Sequence, residues 1–114
     1  MLQNWMCVVS ADNGRVCGCA SVTLSVHRYG PGYFPGTGSV DSTGSGNGAG
    51  YSCNVPLKPG IGDERYLQLV RPIADAARRA LQPAAVVLQC GADALPRDPL
   101  GELNLSSAVI VKTA

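Results

Sequence analysis

Residues 63–81 place Tyr66, Leu69, Val70, Ile73, Ala77 and Leu81 at spacings of three and four, so a helix there carries one apolar stripe. The strand-like stretch YSCNVPL (51–57) precedes it, and the apolar run AAVVLQC (84–90) follows it. Strand, helix and strand in succession read as a β-α-β unit with a right-handed crossover, which limits the chain to an α/β fold. The run 84–90 does not alternate, the pattern expected of a parallel strand buried on both faces. Asp63 is the expected N-cap, with Glu64 in the first turn. Pro72 is expected to kink the helix, and Pro83 to close it.

Upstream, SVTLSVHRY (21–29) alternates Val22, Leu24 and Val26 with Thr23, Ser25 and His27, as a strand does. GPGYFPGTGSVDSTGSGNGAG (30–50) is too rich in glycine for a regular element and too long for a plain connection. Its proline turns around Tyr33 and Phe34 predict an ordered start, followed by a more mobile Gly/Ser arc. Residues 1–20 show no sustained period, and Asn13-Gly14 is a turn signal.

A length of 114 residues sets an expectation of one domain. The net charge of +1, with 15% charged residues, offers no global attraction to nucleic acid or to a membrane surface. No window approaches the roughly 18 consecutive apolar residues of a membrane span, and the N-terminus lacks the basic region of a secretory signal. An intracellular chain is therefore expected, with its five cysteines as free thiols. Cys17-Gly-Cys19, without a second Cys or His pair nearby, is a weak metal signal.

In open α/β sheets, ligands bind beyond the carboxyl ends of the strands. Asp93 lies three residues past such an end, in VVLQCGADALPRDPLG (86–101), and Asp98 follows it among glycine and proline. By pattern alone Asp93 could be a metal ligand, a catalytic carboxylate or a turn cap.

SVHRYGPGYFPGTG (25–38), YSCNVPLKPGIGDERY (51–66) and AAVVLQCGADALPRDPLGELNLS (84–106) closely resemble, in order and spacing, successive segments of the zinc-dependent histone deacetylases. YFPGTG together with LQCGAD is similar to the class I branch. The resemblance implies a fragment of an arginase-like three-layer α/β fold with a central parallel sheet. It also implies hydrolysis of N-acetyl-lysine, with acetylated histone tails and corepressor proteins as partners, in the nucleus with the cytoplasm as a second location. By the same resemblance Asp93 is a zinc ligand, and Phe34 and Gly91 line the substrate tunnel. Gly32, Pro35 and Gly36 are loop residues holding the Phe34 ring, and Asp98 is a residue organising its own loop. Ser25, Val26 and Tyr51 resemble contributors to potassium sites. His27, the one histidine in the chain, matches a strand histidine outside the catalytic set.

The chemistry suits these assignments. A carboxylate ligand leaves zinc strongly Lewis acidic, and a flat aromatic wall fits a methylene stem while excluding water. The family's reaction also needs an Asp and a His as further zinc ligands, a proton-shuttling His pair and a Tyr. None of these is found here, so no catalytic residue is assigned. One carboxylate does not hold zinc, which takes three protein ligands in such a centre. The chain divides into a divergent segment 1–20, a partial deacetylase domain 21–106 and a divergent tail 107–114. It is expected to be an inactive fragment with exposed sheet edges, marginally stable or prone to aggregate. Two alternatives stand beside this reading: a non-catalytic protein binding acetyl-lysine or partners, and a fragment of a deacetylase acting on acetylated small molecules such as polyamines.

Overall fold

A computed structural model describes residues 5–9 and 21–113. Strands β1 (Trp5–Val9), β2 (Ser21–Arg28), β3 (Ser52–Leu57) and β4 (Ala85–Gln89) form one sheet in the order β3-β2-β1-β4. Helix α1 (Asp63–Leu81) connects β3 to β4, and α2 (Ser107–Thr113) follows a long loop. Strands β2 and β3 pair in parallel, from Thr23 opposite Ser52 to Arg28 opposite Leu57. β1 runs antiparallel to both of its neighbours, so β2, β3 and β4 share one direction and β1 opposes them. The α/β expectation holds, but the strands flanking α1 are not neighbours, because β2 and β1 lie between them. No period announces β1, since five residues are too few to display one. The Asn13-Gly14 turn and the Cys17/Cys19 pair lie outside the described residues.

The core gathers Val26 of β2, Leu57 of β3, Tyr66 and Val70 of α1, and Val109 of α2 around Ala94, Leu103 and Leu105 of the long loop. Leu105 and Val109 are almost completely enclosed. The apolar stripe of α1 is therefore used unevenly. Its first two turns pack into the core, while Ile73, Ala77 and Leu81 are only partly covered.

β4 corrects the expectation of a strand buried on both faces. Val86 and Val87 are 51% and 58% exposed. Successive strand residues point to opposite faces, so each face of β4 leaves a valine about half exposed, with Leu88 partly covered. The core-forming loop and helices pack against β2 and β3, two and three positions away in the sheet.

Asp63 also differs from expectation. Gly62 occupies the N-cap, and Asp63 is the first helical residue. Its carboxylate accepts the Ser106 N–H (2.7 Å) and the Ser106 hydroxyl (2.5 Å), tying the start of α1 to the residue before α2. α1 continues through Pro72 as one nineteen-residue helix and ends at Gln82, whose left-handed backbone (φ 43°) directs its N–H to the Arg78 carbonyl. Among the described residues no helix is long and apolar enough to cross a membrane.

Candidate functional site

Asp93 sits in a single 3-10 turn, Ala92–Ala94, four residues beyond the end of β4. Ala94 is buried and its carbonyl accepts the Leu105 N–H (3.0 Å), so the turn is anchored directly in the core. Both carboxylate oxygens of Asp93 are shut off from solvent, and neither accepts a hydrogen bond from another residue. Loss of water raises its pKa above the ordinary aspartate value. The negative charge of Asp98 pushes the same way, and the residue's own N–H only partly offsets them. A buried carboxylate without a donor is costly, and a cation is the partner such a group lacks. Among the described residues, however, no three His, Cys, Asp or Glu side chains converge to hold a metal. Asp93 thus fits one position of a zinc ligand set, and the remaining ligands are not supplied beside it.

The loop after Asp93 folds back over it. Asp98 Oδ1 accepts the backbone N–H groups of Leu100 (2.8 Å) and Gly101 (2.7 Å), closing a tight turn. Gly101 then lies against Asp93 so closely that a Cβ there would come within 1.5 Å of the Asp93 carbonyl oxygen. Arg97 and Glu102 adopt positive φ (72° and 53°), a strained conformation for non-glycine residues. Glu102 is held at both ends: its carbonyl accepts the Gly60 N–H (2.7 Å) and its carboxylate pairs with Arg28 Nε (2.9 Å).

The glycine-rich loop meets this segment through Tyr33. The Tyr33 hydroxyl donates to the Leu100 carbonyl (2.6 Å), and its ring lies 4.7 Å from the Arg28 guanidinium carbon. Phe34, the next residue, is 68% exposed at the surface of the joined loops. Gly32 and Gly36 flank it at φ 72° and 75°, a backbone region glycine enters without strain, and Pro35 lies between Phe34 and Gly36 in the same exposed turn. Gly91 is buried at the N-cap of the Asp93 turn. The structure therefore brings the Phe34 loop and the Asp93 loop together.

His27 is buried in β2. Its Nε2 lies 2.8 Å from the Gly38 carbonyl, which can only accept, so Nε2 carries a proton. Nδ1 on the other side of the ring lies 2.7 Å from the Ser25 hydroxyl. This pair pins the glycine-rich loop to the sheet. Ser25 and Val26 lie in the buried middle of β2. The Tyr51 carbonyl accepts the Thr23 N–H at 2.9 Å, with Thr23 Oγ1 approaching at 3.5 Å. Beyond the first ten residues of the glycine-rich loop, the Gly/Ser arc is a chain of hydrogen-bonded turns, with Asn54 Nδ2 donating to the Ser42 carbonyl (2.7 Å). Cys53 and Cys90 are exposed free thiols.

Sequence reading alone did not single out Gly101, Tyr33, Arg28 or Glu102. Only the glycine and aromatic content of their motifs hints at them: Arg28 and Glu102 pair across 74 residues, Tyr33 reaches Leu100 across 67, and Gly101 meets Asp93 only once the loop has folded back.

A family model described as the histone deacetylase domain matches residues 19–114. Histone deacetylase 19 of Arabidopsis thaliana is 52% identical over 85 residues, which are 75% of this chain and 17% of the relative. Histone deacetylase HDAC1 of Drosophila melanogaster is 48% identical over 75% of the chain and 16% of its own length. Histone deacetylase 8 of Danio rerio is 40% identical over 80% of the chain and 24% of its own length. The chain spans between a sixth and a quarter of these relatives.

Proposed function

Because this chain belongs to the histone deacetylase domain family, with its arginase-like α/β fold, we propose that Asp93 is a zinc ligand of a deacetylase site and that Phe34 and Gly91 border its substrate channel. The observation that carries this reading is the pair of Asp93 oxygens, buried without a donor beyond a strand of the sheet. Zinc bound there would polarise the acetamide carbonyl of an acetyl-lysine and lower the pKa of its water. The chain's own residues do the positioning. Ala94 and Gly101 fix the Asp93 backbone, Asp98 shapes the turn that carries Gly101, and Tyr33 holds Phe34 beside it. Acetylated histone tails are the substrate class and the nucleus the location, with corepressor proteins as partners and transcriptional repression as the outcome. Potassium would meet carbonyl oxygens around Ser25, Val26 and Tyr51.

These 114 residues by themselves supply one zinc ligand and no proton shuttle, so the isolated chain does not turn over acetyl-lysine. Metal analysis and an acetyl-lysine peptide assay on the purified chain are expected to give substoichiometric zinc and no hydrolysis. Bound zinc with turnover that depends on Asp93 would overturn that part. The ligand role is tested separately, by exchanging the matching 85-residue segment of the Arabidopsis histone deacetylase 19 for that of this chain. The chimera should bind zinc and deacetylate, and Asp93→Asn should lower kcat/KM more than about 100-fold with loss of zinc. Retention of zinc and activity by that variant would remove Asp93 from the ligand set.

A further inference from the structure

β1 is anomalous in three independent respects. Its direction opposes the three other strands of the sheet. It lies outside the family match, which starts at residue 19, yet it is inserted between two strands that lie within that match. It also provides the one ladder that β4 makes among the described residues, since β4 contributes no side chain to the core. The registers are continuous on both sides: Trp5 lies opposite Ser25 and Gln89, Cys7 opposite Thr23 and Val87, and Val9 opposite Ser21 and Ala85.

The two strands flanking β1 run the same way, and Asp93 follows from the carboxyl end of one of them. A strand lying parallel to both would send its own carboxyl end to that rim. β1 instead brings its first residue, Trp5, to the rim, and so adds no outgoing loop beside Asp93. Its backbone nevertheless satisfies the N–H and C=O groups that β2 and β4 would otherwise leave open in the middle of the sheet.

We propose that residues 5–9 are a strand plug: a reversed strand that fills the slot between β2 and β4, holds β4 in the sheet and closes the slot to any other strand. The described core draws its side chains from β2, β3, α1, α2 and the loop between β4 and α2. Asp93 is anchored through Ala94 and Leu105 rather than through β4, so the plug secures the sheet and not the carboxylate. This inference rests on strand pairing and is independent of whether Asp93 binds zinc.

Amide hydrogen exchange on the full chain tests it, comparing the unaltered protein with Cys7→Pro, which removes an N–H from the middle of β1, and with Cys7→Ala, which keeps the backbone intact. The amides of residues 85–89 should exchange about tenfold faster or more in Cys7→Pro and be unchanged in Cys7→Ala. Protection of Val55 and Leu57, in β3 on the far side of β2, should persist in both variants. Unchanged exchange at 85–89 in Cys7→Pro would overturn the proposal. Equal loss of protection in β3 would overturn it as well, by making β1 part of the core rather than a plug.

Discussion

A carboxylate whose two oxygens are buried without a donor lowers stability whenever it is ionised, and Asp93 is in that position. Asp93→Ala is therefore expected to raise the unfolding free energy of the metal-free chain by about 1 kcal/mol, read from urea midpoints at neutral pH. A lower midpoint would mean that the carboxylate makes favourable contacts in the absence of metal. The opposite sign applies at Gly101. A methyl group there meets the carbonyl oxygen and carbon of Asp93, which are backbone atoms unable to rotate away. Gly101→Ala should cost about 2 kcal/mol or more in the same measurement, and a cost near zero would show that the loop yields. Asp93 was legible from its place past a strand end and from its motif. Gly101 was not, because the close approach that demands a glycine joins two backbone segments across a loop.

Between elements, the Asp63 contact to Ser106 joins α1 to the start of α2. The Ser106 hydroxyl and then its N–H hold the Asp63 pKa below the ordinary value of 3.8, against an opposing effect of burial. An acid with a lowered folded pKa binds fewer protons folded than unfolded, so its stabilisation is complete above the ordinary value and is lost as pH falls through the folded one. Thermal midpoints followed from about pH 6 down to about pH 2 should fall through the acid range, and the fall should be shallower in Asp63→Asn. Identical slopes would show that the carboxylate contributes nothing to the union of the two helices. Sequence periodicity located α1 and its closing Pro83, since a helix is written in contacts three and four residues apart. Assigning Asp63 as the cap failed for a physical reason: a competing donor pair more than forty residues away captured the carboxylate.

Across the whole molecule, the core lies at the β2 and β3 side, and β4 presents Val86 and Val87 to solvent on opposite faces. Exposed apolar side chains on an edge strand favour association between copies. Light scattering of the isolated chain should show mass rising with concentration, and Val87→Glu should shift it toward the monomer. A concentration-independent monomer for the unaltered chain would refute this. The sequence by itself determined which segments are helix and strand within β2, β3, α1 and β4, because those signals are local: the periods of β2 and α1, and the short apolar or β-branched runs of β3 and β4 bounded by proline and glycine. Its motifs also determined the family, because they hold a fixed order and spacing. Only the tertiary structure decided the strand order, the reversed β1 between β2 and β4, the exposure of β4, and the Arg28, Tyr33 and Gly101 contacts that join the two loops. Each of those depends on which distant segments compete for the same backbone donors and the same apolar cover, and no local pattern encodes the outcome of that competition.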